Sequence, residues 1–353
     1  RVNSQGLIED ITSNLPRIDY TGGEGHWLFE PQSTNLETES AALTTGWNVR
    51  TGATSQIQTS TTPFGVSGNV YKLTNATNNP PSWTDNSNST KKQYAVSATD
   101  PASFYTFSVY VKSAGSTTIN IQLRDNSRGS FVTTGLISLS SEWQRVTISK
   151  QFTTSTTAVG VVIAGTDGDI LLADAQFEQQ SFATSYIPTN GSTVTRLKDA
   201  AFGAGNSSLI NSTEGVLYVE VAALAEQTLT RYITLSSGAS SNRIIIYITD
   251  VGVIKFFVGV GGVTQAAKTV SGQTTTNFNK LAVSYKENDI KFYLNGVKVH
   301  TDTSASTFPA DTLNVLNFAA SNGTSSPFFG KTKCAAVFKE ALTDAELTCL
   351  TTI

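Results

Sequence analysis

Ile290-Lys291-Phe292-Tyr293-Leu294-Asn295-Gly296-Val297-Lys298-Val299-His300 holds two short alternating runs around an Asn-Gly pair. In a pleated strand successive side chains point to opposite faces, so Ile290, Phe292 and Leu294 share one face and Lys291 and Tyr293 the other. Asn295-Gly296 supplies the two positive φ angles of a type I′ turn, whose twist matches that of the strands it joins. The segment reads as a β-hairpin, with Ile290–Leu294 and Val297–His300 as its strands and the register set by the turn.

The same period of two continues outward in both directions. Leu281, Val283 and Tyr285 alternate with polar or small neighbours, as do Leu217, Val219 and Val221. Farther back, Phe107, Val109 and Val111 alternate with Ser108, Tyr110 and Lys112, and Ile119, Ile121 and Leu123 with Asn120, Gln122 and Arg124. Such runs are half-buried antiparallel strands with the apolar side inward. Turn clusters such as Ser113-Ala114-Gly115-Ser116 and Ser236-Ser237-Gly238 separate them, the punctuation of sandwiches. One helix has a clear signal. Thr343-Asp344-Ala345-Glu346 is a capping box, with Leu347 and Leu350 following on one face.

The expected fold is therefore all-β: two antiparallel β-sandwich (jelly-roll) domains, an extended N-terminal segment and one short C-terminal helix. A length of 353 residues fits two domains. Residues 1–40, with Pro16, Pro31 and no sustained alternation, read as the extended segment. Residues 41–190 read as the first sandwich, 191–211 as a Gly/Ser/Thr-rich linker and 212–353 as the second sandwich.

Composition excludes several roles. Charged residues are 14 % and the net charge is −3. A chain that binds nucleic acid needs a basic patch to release counterions, and none is visible. Apolar runs such as Ile244–Ile248 fall well short of the ~20 residues of a membrane helix, so no membrane insertion is expected. The chain begins at Arg1 and contains no Met, which reads as a processed piece of a longer product. Cys334 and Cys349 are too few for a disulfide framework. Buried free thiols are expected ahead of a bond between them, and the sequence leaves that choice open.

The usual catalytic and metal signatures are missing. His26 and His300 are the only histidines, fall in different domains and lack metal-ligand neighbours at zinc spacing. No Gly-x-Ser-x-Gly elbow exists for a serine nucleophile. Gly330-Lys331-Thr332 lacks the first glycine of a P-loop, since Ser325 stands there. Gly259-Val260-Gly261-Gly262 has no βαβ context. Asp174 and Glu178 share a strand face and are the acids to watch for glycosidase chemistry, which needs two carboxylates across a cleft; solvated strand carboxylates are the plainer reading. Thr166-Asp167-Gly168-Asp169 is the best local candidate for a structural calcium, through Asp167 and Asp169, and is also an ordinary turn. No other cofactor is expected.

Three segments resemble known families. The run from Arg1-Val2-Asn3 through Gly6-Leu7-Ile8-Glu9, Pro16-Arg17-Ile18-Asp19-Tyr20 and Glu30-Pro31-Gln32-Ser33-Thr34-Asn35-Leu36 resembles the opening of phage tail and virion structural proteins. Trp143-Gln144-Arg145-Val146, Ala173-Asp174-Ala175-Gln176-Phe177-Glu178 and Thr184–Arg196 are similar to a carbohydrate-binding-module-like jelly roll of the same proteins. Lys280–Val299, Phe329-Gly330 and Ala341–Leu347 are similar to a laminin-G-like, concanavalin-A-like sandwich. The resemblance implies a non-enzymatic protein of a bacteriophage virion surface, a tail fibre or appendage or a capsid decoration. Its partners would be bacterial surface polysaccharide and other virion proteins. Phage fibres being symmetric, it also implies a homotrimer. Such a protein is made in the host cytoplasm and acts on the virion surface. Fold does not fix function. A purely structural decoration protein and a polysaccharide depolymerase or glycosidase with an attached binding module stay open as rivals.

Sugars are held by flat aromatic faces with planar amide, carboxylate and guanidinium partners. Trp143 and Trp47 read as structural and Trp27 as an anchor of the N-terminal segment. Trp83 differs, lying in Asn78-Asn79-Pro80-Pro81-Ser82-Trp83-Thr84-Asp85-Asn86, a stiff polar loop suited to a recognition platform. Folding back over the core edge, or packing on another subunit, are the alternatives. Arg124-Asp125-Asn126-Ser127-Arg128 offers planar groups at a strand end, and is otherwise a solvated turn. Trp83, Tyr94, Arg124, Asp125 and Arg128 are expected to border one shallow sugar groove.

Overall fold

The alternating segments pair as antiparallel strands in a computed structural model that describes residues 1–12, 15–75, 77, 81–84, 88–96, 103–152, 156–225, 230–249 and 251–353. They divide between two units. Arg1–Thr12 and Gln32–Leu197 form the first, Ser13–Pro31 and Lys198–Ile353 the second.

In the first unit one sheet runs Phe131–Thr133, Thr118–Asp125, Ala158–Gly165, Thr90–Ala95, Asn48–Val49, with Ile137–Ser138 also pairing on Thr118–Asp125. The other runs Gln144–Gln151, Phe104–Ser113, Ile170–Glu178, Ser67–Thr74, Thr54–Thr61. The inward sets anticipated from alternation meet between them. Phe107, Val109 and Val111 pack with Ile119, Ile121, Leu123, Val159, Val161 and Ile163 in one core. Trp47 lies in that core, and Trp143 packs on Val70, Leu171 and Ala173 on the far side of the second sheet.

One strand breaks its own alternation. Ile170 and Leu172 point into the core, and so do Ala175 and Phe177, which differ from them in parity. The register shifts between Ala173 and Gln176, where Asp174 takes φ 52°. This β-bulge inserts one residue and flips the faces beyond it. Asp174 and Glu178 are therefore not a simple same-face pair, and they are not solvated. Asp174 is 5 % exposed and Glu178 0 %. The Glu178 carboxylate accepts hydrogen bonds from Ser33 Oγ (2.6 Å), Gln176 Nε2 (2.7 Å), Thr184 N (2.9 Å) and Thr184 Oγ1 (2.7 Å).

The second unit has a seven-stranded sheet in the order Ile18–Asp19, His26–Phe29, Gly330–Phe338, Glu214–Ala223, Asn279–Lys286, Ile290–Leu294, Val297–Asp302. Opposite lies Val263–Val270, Ile254–Val260, Arg243–Ile248, Arg231–Ser236, Val315–Asn317. The Asn-Gly hairpin is present, with Asn295 at φ 50°, Gly296 at φ 80° and Leu294 opposite Val297. The turn does not hold the register along the whole hairpin, because a bulge beyond Tyr293 sets Phe292 against His300. Gly261 and Gly262, both at positive φ, form the turn between Ile254–Val260 and Val263–Val270.

The helix Asp344–Thr351 begins at the capping box, where Glu346 N donates to Thr343 Oγ1 and Thr343 N to Glu346 Oε2. It lays Leu347 and Leu350 over Val216, Tyr218, Ala282 and Tyr293, so Glu214–Ala223 is buried on both faces. Cys334 and Cys349 are free, but both are exposed rather than buried.

The stretch read as one extended lead-in belongs to both units. His26–Phe29 is a sheet strand of the second, while Ser33–Asn35 pairs with Val194–Arg196 in the first. The stretch read as a linker is also tied down. Within the second unit Arg17 bridges Glu30 (2.7 Å) and Asp199, and Ala204 bridges Leu316.

Candidate functional site

The outward face of the first unit's six-stranded sheet is a grid that the registers specify. Arg124, Gly160 and Gln93 form one cross-strand row, and Gln122, Val162, Lys91 and Asn48 the next. Gly160 leaves a gap in the first row, and the indole of Trp83 fills it. A Cβ on Gly160 would lie 2.6 Å from Cε3 and Cζ3 of that ring and 2.8 Å from Asn126 Nδ2. The backbone of the loop is fastened to the grid as well. Trp83 N donates to Gln122 Oε1 (3.2 Å), Gln122 Nε2 to Pro81 O (2.9 Å) and Lys91 Nζ to Trp83 O (2.9 Å). The Lys91 ammonium stands 4.4 Å from the ring centroid, a cation–π contact. Asn126 Nδ2 donates to Gln93 Oε1 (2.8 Å), holding a planar amide pair at the ring's margin.

Trp83 thus folds back onto the sheet and is half-buried. Of the quoted loop only Pro81–Thr84 is described; Asn78, Asn79, Pro80, Asp85 and Asn86 lie outside the described residues. Arg124 shares the face with Trp83. Two of the expected residues do not. Tyr94 is one residue out of phase with Gln93, so it points inward. It stacks on Phe177 with ring centroids 4.2 Å apart and donates to Glu37 Oε2 (2.7 Å). Burial and the Glu37 charge push its phenol well above the usual range. Asp125 is 1 % exposed and closes its own turn, accepting from Ser127 N (2.9 Å), Arg128 N (3.1 Å) and Thr156 Oγ1. Arg128 is exposed on that turn.

The residues that seat the ring were not singled out from the sequence: Gly160, Lys91, Gln93, Gln122 and Asn126. The one available signal was Gly160 interrupting an apolar strand, since a glycine there marks a close approach by something else. The inward neighbour of Lys91 has a different environment. Lys92 Nζ contacts Glu37 Oε1 at 2.5 Å inside the core, where Trp47 Nε1 also donates to Glu37 (3.1 Å).

The calcium candidates diverge. Asp167 accepts from Thr117 N (2.8 Å), Thr117 Oγ1 (2.8 Å), Ser116 Oγ (3.1 Å) and Thr166 Oγ1 (3.0 Å), which hold its carboxyl below the usual range. Asp169 pairs with Lys72 at 2.9 Å instead. Among the described residues no cluster of three or more His, Cys, Asp or Glu is arranged for a metal ion.

The model of the concanavalin A-like lectin/glucanases superfamily matches residues 218–348. No curated protein matches the chain. Among solved structures, the carbohydrate-binding module CBM40 of the Ruminococcus gnavus IT-sialidase, bound to α2,3-sialyllactose, is 18 % identical; the match covers 43 % of this chain and 94 % of that one, with a TM-score of 0.36. Domain 4 of AbnA, an extracellular arabinanase from Geobacillus stearothermophilus in complex with arabinotriose, is 18 % identical over 49 % of this chain and 81 % of that one (TM-score 0.33). A SAP-like pentraxin from Limulus polyphemus is 11 % identical over 42 % and 72 % (TM-score 0.33). Residues 218–348, which lie within the second unit, are thus similar to a concanavalin A-like, laminin G-like sandwich.

Proposed function

We propose that the chain is a glycan-binding protein of a bacteriophage virion surface, a tail-fibre, appendage or decoration component that holds host polysaccharide without cleaving it. The observation that carries this reading is the Trp83 indole, seated on an outward sheet face by Gly160 and flanked by Arg124, Gln93 and Asn126. An aromatic face for sugar C–H groups beside planar hydrogen-bonding groups for hydroxyls is the chemistry a saccharide needs. The resemblance of the run Arg1–Leu36 to phage structural proteins supports the virion setting. Copies of a homotrimer would multiply weak sites into useful avidity. Binding without bond cleavage is supported by Asp174 and Glu178 being sealed in the fold, where a substrate finds no approach. The proposal requires no cofactor.

A purely structural role has one observation in its favour. Phe202 is 63 % exposed beside a cleft of about 110 Å³ lined by Ala201, Phe318 and Pro327, apolar surface suited to another virion protein. A screen against bacterial surface polysaccharides, reading binding and reducing-end release in the same wells, separates the readings. Saturable binding without release is the expected result. Release of reducing ends contradicts it, and neither signal across the panel favours the structural role.

A further inference from the structure

We propose that the Trp83 platform is selective for acidic saccharides, meaning sugars that carry a carboxylate or another anionic substituent. The inference rests on the glycan-binding reading and adds the charge of the ligand. Three cations share this outward face. Lys91 and Arg124 stand in adjacent rows of the grid, and Arg50 extends it, its backbone N–H bonding Ser89 O (2.8 Å) just beyond the Asn48–Lys91 pair. Among the described residues none of the three forms an ion pair with a carboxylate. Lys91 Nζ donates to a neutral carbonyl, that of Trp83. Among the described residues, Arg50 Nε and Arg124 Nε are both buried without a hydrogen-bond partner.

Lys92 is treated differently. One residue along the same strand, on the inward face, the chain supplies Glu37 at 2.5 Å to neutralise that ammonium. On the outward face the acid next to Arg124 in sequence, Asp125, is turned inward and occupied by its own turn. Partly buried cations without a counter-charge are costly to keep. Lys91 registers that cost, held below its usual range by burial and by the charge of Arg50. An anionic group laid beside the indole would relieve it, and a planar guanidinium grips a carboxylate with two parallel hydrogen bonds.

Polygalacturonate and its carboxyl-reduced galactan differ only at C6 and separate charge from stacking. Binding of each is measured by calorimetry at low and high salt. The proteins are the whole wild-type chain, Arg124→Gln, Arg50→Gln and Trp83→Ala, with melting curves to establish that each variant is folded. The expected result is at least tenfold tighter binding of the acidic polymer, weakened by salt. That preference falls away in the folded arginine variants, and binding of both polymers is lost in Trp83→Ala. Equal binding of the two polymers, still dependent on Trp83, overturns the acidic preference and leaves the glycan reading standing. Binding of neither, with alginate and hyaluronate also inert, overturns both.

Discussion

Gly160 does its work by lacking a side chain. Any Cβ there meets the Trp83 ring at 2.6 Å, closer than non-bonded carbons approach. Gly160→Val should therefore lift the indole from the sheet and weaken glycan binding as Trp83→Ala does, by about tenfold or more, equivalent to ~1.4 kcal/mol. Matched isotherms check this, and undiminished binding by Gly160→Val would show that the seat is irrelevant. Asp174 offers a test independent of any ligand. Burial raises its carboxyl from 3.8 to about 7. The unfolded chain thus ionises first, so the stability that the neutral acid contributes is complete below about pH 4 and drains away as pH rises to about 7. The slope is on the order of 1.4 kcal/mol per pH unit across that window. Asp174→Asn keeps the shape, suits the positive φ of 52° and removes the charge. Its melting temperature should exceed that of wild type at pH 8 and match it near pH 4. A lower melting temperature at pH 8 would mean that the charged form is the stabilising one.

At the scale of elements, what the sequence discloses is what local chemistry dictates. The Asn295-Gly296 turn, the inward sets of Phe107–Val111 and Ile119–Leu123 and the capping box at Thr343 all follow from period and turn residues within a few positions. The helix should respond accordingly. Thr343→Ala removes the hydroxyl that accepts from Glu346 N, and should lower stability by about 1 kcal/mol, read by chemical denaturation. No change would mean that packing of Leu347 alone holds the helix. What local pattern conceals is parity. The bulge at Asp174 exchanges the faces of a strand without any change in composition, which is how two buried acids read as solvated. Tyr94 read as a surface residue for a related reason. Its strand has lysines at 91 and 92, and only the pairing with Ala158–Gly165 and the buried Glu37 reveal which one faces in. Of the candidate site, the sequence singles out Trp83 and Arg124, which share one sheet face, but not the residues that seat the ring, because cross-strand neighbours are distant in sequence.

At the scale of the whole molecule, the chain crosses between its units more than once. His26–Phe29 is an integral strand of the second unit, pairing with Gly330–Phe338 from more than 300 positions away. A fragment beginning at Lys198 therefore leaves that edge unpaired, with exposed backbone groups that invite association. It should melt lower and aggregate more than the same fragment with Ser13–Pro31 restored by fusion, as scanning calorimetry and light scattering would report. Equal behaviour of the two would mean that the strand is dispensable. Reversible glycan capture at Trp83, the proposed function, is tested by a pair of binding isotherms on a polysaccharide that the wild-type chain retains. One uses Trp83→Ala and the other Trp143→Phe, a change at an indole packed on the opposite sheet. Capture at Trp83 requires at least a tenfold loss for the first and wild-type affinity for the second. Wild-type affinity in Trp83→Ala would contradict it and move the site elsewhere in the molecule.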